Sequence, residues 1–289
     1  MGQFEYTRAT SVSEAVVLLN EPGLKSRPLA GGTDILLQLR HDPHYCDRLV
    51  DISQIPDLHR IELKDDWVHF GAAATFNEVL NNPIIKATAR VLEQACISVG
   101  AVQIRNMGTL GGNVINAAAC ADSLPALICL DAVAHFLTPA GEQLLPVTQL
   151  VSAPNKTILP PGALLVSLRY PVPTTGSKSA FIKLGRRNAM AISRLTVAAI
   201  GRLDAQNRIV EARLVTGSAT PHIERLTTVE QAMIGKQPSA ELFHSAARLT
   251  VDEMIRLAGF RWSSEYKVPA LTAMTERVLA QVFKWDEVQ

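Results

Sequence analysis

The spacing of apolar and polar residues along the chain predicts short strands and helices in mixed order. Ser11 and Glu14 have the S-x-x-E spacing of a capping box, which predicts a helix over the apolar-faced segment that follows. Apolar runs at 27–30 and 48–53 predict strands, and 33–40 predicts a helix capped by Thr33. This part of the chain therefore has the pattern of a small α/β unit.

A second unit follows with a similar pattern. The run 67–76 predicts a strand, 83–100 predicts one helix, and 163–173 predicts a strand that ends at two prolines. Between them, residues 107–137 are rich in small side chains and predict a short helix followed by a strand.

The composition of the chain changes at 173–179, where turn-forming residues predict a linker and a domain boundary near Thr175. Beyond it, apolar runs on both sides of 204–207 predict a hairpin. The segments 239–254 and 270–284 predict helices. In the second unit, Asp65-Asp66 predicts a further turn between strands.

Composition and charge exclude several classes of protein. The chain has 289 residues and a net charge of +1, which gives no electrostatic basis for binding nucleic acid or an anionic membrane. No apolar run approaches the roughly 20 residues of a membrane span, and the first residues lack a signal-peptide pattern, so we expect a cytoplasmic protein. The four cysteines and seven histidines show no metal-ligand spacing, so we expect no bound metal. Trp67, Trp262 and Trp285 are expected to be packing residues.

Two Gly-Gly pairs are the strongest candidates for chemistry: "LAGGTDIL" at 29–36 and "TLGGN" at 109–113. A glycine pair permits positive φ and leaves no Cβ between the backbone and a ligand. Successive N–H groups in such a turn can bind an anion, and two such turns suit a diphosphate or a long cofactor. Close packing of backbone segments is the alternative, and the residues alone favour it for either pair taken singly. Neither pair fits G-x-G-x-x-G or the P-loop.

Longer motifs around these pairs resemble a known family. "LAGGTDILLQLR" followed by "GAVQIRNMGTLGGNVINAAACADSLPALICLDA" resembles the FAD-binding medium subunit of the molybdenum hydroxylases, above all that of bacterial xanthine dehydrogenases. The resemblance also includes "FEYTRATSVSEAVVLL", "FIKLGRRNAMAIS" and "RWSSEYKVPALTAMTERVL". It implies an α+β protein with a two-subdomain FAD-binding domain of the vanillyl-alcohol oxidase (PCMH) type over 1–176, the subdomains being about 1–57 and 58–176. A small α+β domain of the CO dehydrogenase flavoprotein C-terminal type would occupy 177–289.

The resemblance also assigns roles to residues. In the family the first glycine loop holds the FAD diphosphate through backbone N–H groups, and the second lies near the phosphates and the ribityl chain. Asp122 corresponds to a residue that binds cofactor hydroxyls, Leu165 to an apolar contact, and Lys183 to a lysine that tunes the flavin electrostatically. No catalytic side chain is implied, because the flavin carries the redox chemistry. The implied cofactor-binding residues are Leu29, Ala30, Gly31, Gly32, Thr33, Asp34, Ile35, Leu36, Thr109, Gly111, Gly112, Asn113, Asn116, Asp122, Leu165 and Lys183.

The function implied by the resemblance is electron transfer within a larger enzyme. FAD on this chain would link the 2Fe–2S clusters of a small partner subunit to NAD⁺. A large partner subunit would carry the molybdopterin cofactor and oxidise xanthine or hypoxanthine, in a dimer of heterotrimers. Arg186 and Arg187 would be either solvated or close to the NAD⁺ phosphates.

Three alternatives stay open from the sequence. The chain could serve a related hydroxylase that acts on nicotinate, an aldehyde or CO. It could be a self-sufficient FAD oxidoreductase whose C-terminal domain covers a substrate pocket. A scaffold without FAD is the third, which the intact glycine loops disfavour.

Overall fold

The N-terminal unit of the protein is a parallel three-stranded sheet with two helices. The computed structural model describes residues 4–283. The elements of this unit are β1 (Glu5–Arg8), α1 (Val12–Leu19), β2 (Ser26–Leu29), α2 (Ile35–His41) and β3 (Arg48–Asp51). The strands are ordered β1–β3–β2, and β3 is buried along its whole length between its two neighbours. The predicted α/β unit is confirmed.

The helix starts in this unit agree with the sequence in one case and differ in the other. Ser11 Oγ accepts a hydrogen bond from the Glu14 N–H, as the capping box predicts, and the Glu14 carboxylate accepts one from the Thr10 N–H. The prediction that Thr33 caps α2 is wrong. Asp34 is the N-cap residue, and its side chain makes no capping bond. Thr33 Oγ1 donates instead to the Asp34 carboxylate at 3.3 Å, so the start of α2 lacks a side-chain cap.

The second unit is built on a five-stranded antiparallel sheet. After a 3-10 turn at Pro56–Leu58, its elements are β4 (Ile61–Lys64), β5 (Trp67–Gly71), α3 (Phe76–Asn81), α4 (Pro83–Thr88), α5 (Arg90–Ile97), α6 (Val102–Met107), α7 (Leu110–Asn116), α8 (Ser123–Cys129), β6 (Val133–Thr138), β7 (Gly141–Pro146), α9 (Val147–Leu150), β8 (Val151–Ala153), β9 (Lys156–Thr157) and β10 (Leu164–Pro171). The sheet order is β4–β5–β10–β6–β7, and β8 pairs with β9 separately. Asp65 and Asp66 both have positive φ in the turn from β4 to β5, which confirms that predicted turn.

The predicted single helix over 83–100 is wrong, because Ala89 divides it into α4 and α5. Ala89 has φ −143° and ψ 63°, outside the helical region. Hydrogen bonds to other parts of the chain fix this break. Thr88 Oγ1 pairs with the Tyr170 hydroxyl at 2.8 Å, and the Val91 N–H donates to Ser179 Oγ at 3.1 Å. The small-residue run at 107–137 contains two helices, α7 and α8, before its strand β6, where the sequence predicted one.

The C-terminal part of the chain is an antiparallel sheet covered by helices. Its elements are β11 (Lys178–Gly185), β12 (Ser193–Leu203), β13 (Ile209–Gly217), α10 (Thr227–Met233), α11 (Ala240–Ala258) and α12 (Ser264–Phe283). The predicted hairpin at 204–207 is confirmed: the Asp204 carboxylate accepts the N–H groups of Gln206 and Arg208. Both predicted helices are present, although residue 284 of the last one lies outside the described residues. None of the helices within 4–283 has the length and apolar character to cross a membrane.

This C-terminal sheet is buried on both faces, which joins the two halves of the molecule. Phe181, Ala198 and Val215 belong to the core of the second unit. Val197 and Leu214, which alternate with them, pack among α10, α11 and α12. Because side chains of a strand alternate between its faces, each strand contributes to both cores. The C-terminal part is therefore fixed against the helices of the second unit.

Candidate functional site

A cleft of about 780 Å³, measured with its open mouth, lies between the N-terminal unit and the second unit. Its walls come from the segment after β2, from the start of α7 and from the start of β10. Segments far apart in the sequence therefore meet around one space. The predicted site residues that line it are Ala30, Gly31, Gly32, Thr33, Asp34, Ile35, Thr109, Gly111, Gly112, Asn113 and Leu165.

The first glycine segment offers unpaired backbone donors to this cleft. Residues Gly31 to Ile35 all line it, and within residues 4–283 none of their backbone N–H groups donates a hydrogen bond. Their carbonyls are partly used, since Gly32 and Asp34 accept the first helical bonds of α2. A run of free N–H groups around a left-handed glycine is suited to acceptor oxygens of an anionic ligand.

The two glycines of this segment are required for different reasons. A Cβ on Gly31 would lie 1.8 Å from the carbonyl oxygen of Met107, so the backbones touch there. Gly32 has φ +75°, which L side chains rarely adopt, and this φ turns the chain into α2. Gly31 thus brings the segment against α6, and Gly32 directs the N–H groups that follow.

The second glycine pair does not form a turn of the same kind, contrary to the sequence expectation. Thr109 is the N-cap of α7, and Gly111 and Gly112 lie in its first turn. Their backbone donors are already used: the Gly111 N–H donates to Ala72 O at 3.1 Å, and the Gly112 N–H to Thr109 Oγ1 at 3.1 Å. The close packing of backbones, left open as the alternative, accounts for Gly111, because a Cβ there would lie 2.4 Å from Ala72 O.

The Gly111 and Gly112 N–H groups of the second segment are already bonded, but two of its side chains can donate hydrogen bonds to a ligand. Asn113 Oδ1 accepts a hydrogen bond from Ser123 Oγ at 2.6 Å, which orients its amide. The Asn113 amide nitrogen has no acceptor in the described part of the chain, so it can donate to a ligand. The Thr109 hydroxyl caps α7 with an oxygen lone pair and keeps its own hydrogen to donate.

A hydrogen bond joins the two glycine segments beside the cleft. Asn116 Nδ2, at the end of α7, donates to Asp34 Oδ1 at 2.9 Å. Asp34 lines the cleft, whereas Asn116 does not. The bond instead fixes the start of α2 relative to α7, so these two residues hold the segments in register.

Asp122 and Lys183 lie apart from this cleft and pair with each other. Lys183 Nζ is 2.6 Å from Asp122 Oδ2, and both side chains are largely buried. Ser98 Oγ donates to the same carboxylate oxygen at 3.2 Å, and Ser193 Oγ donates to the other. The carboxylate thus joins α8 to β11 and β12. Lys183 lines a separate hollow together with Ser98, Leu184, Gly185 and residues 187–191.

Most of the predicted site residues line the cleft, while five do not. Leu29, Leu36, Asn116, Asp122 and Lys183 do not line the cleft. Of these, Leu29 lies in β2, and Leu36 packs over Gly32. The lining residues that the sequence prediction missed are Pro28, Ile52, Ala72, Phe76, Gly108, Ile115, Leu159, Ala163 and Leu164. Pro28, Gly108 and Leu164 flank predicted residues, which was a usable signal, whereas Ile52, Phe76 and Leu159 arrive only through the tertiary fold.

Comparison with known proteins defines the class of this site. The family described as the FAD binding domain in molybdopterin dehydrogenase matches residues 2–173. The family described as the CO dehydrogenase flavoprotein C-terminal domain matches residues 180–282. The chain therefore belongs to the FAD-binding subunits of the molybdenum hydroxylases.

Individual relatives place the chain within that family. It is 31% identical to the xanthine dehydrogenase FAD-binding subunit of Escherichia coli O157:H7, covering 96% of this chain and 94% of the relative. It is 25% identical to the nicotinate dehydrogenase FAD-subunit of Eubacterium barkeri, covering 98% and 97%. Among solved structures, it matches a carbon monoxide dehydrogenase from Hydrogenophaga pseudoflava with a TM-score of 0.90 and 25% identity, covering 98% of both chains.

We predict that Gly111→Ala destabilises the fold more than Gly112→Ala does. The added methyl of Gly111→Ala would overlap the Ala72 backbone, which costs about 1–3 kcal/mol. Gly112 is exposed, and its added methyl would lie 2.8 Å from the Thr109 hydroxyl, a side-chain group that can move where the Ala72 backbone cannot. Thermal unfolding of both variants measures the difference. A Gly111→Ala midpoint equal to that of the wild type would show that Gly111 is not needed for packing.

A second prediction concerns the buried pair of Asp122 and Lys183. The double-mutant cycle of Asp122→Asn and Lys183→Met, measured by urea unfolding, should give a coupling energy of about 1–3 kcal/mol. The matched control is Asp57→Asn with Arg60→Met, an exposed pair at 3.5 Å whose coupling should be about 0–1 kcal/mol. A buried-pair coupling no larger than that of the control would contradict the assigned network.

Proposed function

We propose that this chain is the electron-transfer subunit that links the 2Fe–2S clusters of a partner subunit to NAD⁺, with FAD as its cofactor. The observation that carries the proposal is the row of free N–H groups from Gly31 to Ile35 in a largely apolar cleft. A diphosphate needs such fixed donors, and the cleft walls offer apolar surface to the rest of a long cofactor.

The residues present fit FAD when each is assigned to a part of the molecule. The Gly31–Ile35 backbone would hold the diphosphate, and the hydroxyl of Thr109 with the amide of Asn113 would donate to neighbouring oxygens. Leu165 would supply apolar contact. When bound, FAD supplies transfer of one or two electrons, and this chain supplies position and electrostatics.

Asp122 and Lys183 are assigned a joint role in this proposal. Sequence similarity assigns Asp122 to cofactor hydroxyls and Lys183 to the flavin. In the structure the two side chains hold each other, and the carboxylate already receives hydrogen bonds from two serines. We therefore assign Asp122 the task of orienting Lys183 in the separate hollow that Lys183 lines, where the ammonium group would favour negative charge on a flavin ring that extends to it.

The substrate and the acceptor follow from similarity together with one structural feature. Xanthine or hypoxanthine is the proposed substrate of the assembled enzyme, because the 31% identical relative belongs to xanthine dehydrogenase. The nicotinate dehydrogenase relative keeps nicotinate as the second candidate. The exposed loop with Arg186 and Arg187, next to the Lys183 hollow, supports NAD⁺ as the acceptor, because guanidinium groups bind phosphates well.

The remaining proposals concern the domain boundary and the subunits of the assembled enzyme. We propose a domain boundary at about residue 176, between β10 and β11; the segment 174–179 that neither matched family covers supports it. The molybdopterin cofactor would reside on a large partner subunit and the clusters on a small one, in a cytoplasmic dimer of heterotrimers. The subunit interpretation is favoured over a self-sufficient oxidoreductase, because the matched relatives are themselves subunits.

We predict that Thr33→Glu weakens FAD binding more than tenfold, which corresponds to about 1.4 kcal/mol, while the unfolding midpoint stays near the wild-type value. Thr33 lines the cleft and is only half-buried, so the new carboxylate would face the diphosphate without disturbing the core. The control Gln38→Glu adds the same charge to an exposed position of α2 outside the cleft. FAD titration of the apo-protein, followed by flavin fluorescence, measures both.

Two results would contradict the proposal. Wild-type protein that is colourless and takes up no added FAD would show that FAD is not the cofactor of this chain. Thr33→Glu protein that binds FAD as tightly as Gln38→Glu would show that the diphosphate lies elsewhere.

A further inference from the structure

The expectation that Trp262 is a packing residue is wrong, because 88% of this side chain is exposed. It lies in the short connection between α11 and α12. Phe260, in the same connection, is 69% exposed, and Ile192, just before β12, is 75% exposed. Trp285 lies outside the described residues, and Trp67 is half-buried under the Arg169 guanidinium. An exposed tryptophan and phenylalanine so close together are unusual on a free surface.

Hydrogen bonds join the segments that carry these side chains. Lys267 Nζ, in the first turns of α12, donates to Ser218 O at 2.6 Å. Ser218 Oγ lies 3.2 Å from Ala119 O and 3.4 Å from Ser193 O, the residue after Ile192. The start of α12, the end of β13 and the start of β12 therefore lie against one another.

Three cations of this surface have no carboxylate partner. Burial and the neighbouring charges of Arg261 and Arg194 together lower the pKa of Lys267, so the three groups lie within electrostatic range of each other. Within residues 4–283, none of these three forms an ion pair, and neither does Glu265 nearby. We call the set of Ile192, Arg194, Phe260, Arg261, Trp262 and Lys267 the basic aromatic surface.

The make-up of the basic aromatic surface is that of a protein interface. Trp, Phe and Arg are enriched in interface cores, and Trp and Arg are common among residues that dominate binding energy. Uncompensated positive charge calls for acidic groups opposite. A dinucleotide is a poorer match, because the hollow at Lys183 is lined by none of these aromatic side chains.

We propose that the basic aromatic surface docks a partner subunit of the hydroxylase through a face that carries exposed apolar residues and carboxylates. The inference rests on the proposed function, which makes this chain a subunit. The surface is connected to the Asp122–Lys183 network through Ser193, which lies between Ile192 and Arg194 and donates to Asp122. The partner would thus contact the C-terminal domain on the strand that helps to hold Lys183.

The test uses the full chain co-expressed with the molybdenum and iron–sulfur subunits of its own complex. Trp262→Ala and Arg194→Glu should each raise the dissociation constant for assembly at least about tenfold, because they remove an interface anchor and reverse a charge. Raising KCl from about 50 to 500 mM should weaken assembly of the wild type. Both variants, purified alone, should keep the wild-type FAD content, because neither residue lines the cleft.

The matched control is Arg208→Glu. Arg208 is exposed in the hairpin at the opposite end of β12, about 30 Å away along the strand, and its side chain forms no ion pair with any residue the structure describes. This control should assemble like the wild type. Mass photometry over a dilution series measures assembly of all four proteins.

Three outcomes would overturn the inference. Variants that assemble with the wild-type dissociation constant would show that the surface is free in the complex. Equal weakening by Arg208→Glu would show a general charge effect. Normal assembly with lost NADH binding would identify a dinucleotide site instead. Failure of the proposed function itself would be recognised separately, by wild-type chain that binds no FAD.

Discussion

The contact between Gly31 and the Met107 carbonyl determines how the two units of this subunit meet. With space for no Cβ between them, the loop after β2 lies directly against the backbone at the end of α6. The Asp34–Asn116 hydrogen bond then fixes the start of α2 beside α7. The cleft is the space left between these touching segments, so its shape depends on backbone contact more than on any single side chain.

The two Gly-Gly motifs look alike in sequence but have different roles in this geometry. The first pair, with its positive φ at Gly32, leaves its N–H groups free. The second pair lies in a capped helix whose N–H groups are bonded to Ala72, Ala74 and Thr109, so its contribution is close packing and two polar side chains. An anion held in the cleft would therefore depend mainly on the loop, while α7 holds the wall opposite.

Much of the architecture could be predicted from the sequence, because it depends on local patterns. Apolar spacing located the α/β unit, the hairpin at 204–207 and the last two helices, and the glycine motifs located both walls of the cleft. The sequence predictions fail where contacts between residues far apart in the chain determine the local structure. The helix breaks at Ala89, where Thr88 and Val91 on either side form hydrogen bonds with Tyr170 and Ser179. Thr33 does not cap α2, because its hydroxyl donates to Asp34. The pairing of Asp122 with Lys183 required the fold of the C-terminal sheet.

The central claim, that the free N–H groups of Gly31 to Ile35 bind the FAD diphosphate, is tested most directly by amide hydrogen exchange with and without FAD. The account predicts that FAD slows exchange strongly at residues 31–35, where no described acceptor protects the N–H groups. Exchange at residues 110–113 should change little, because those N–H groups are bonded already. Unchanged exchange at 31–35, or new protection confined to 110–113, would contradict the account.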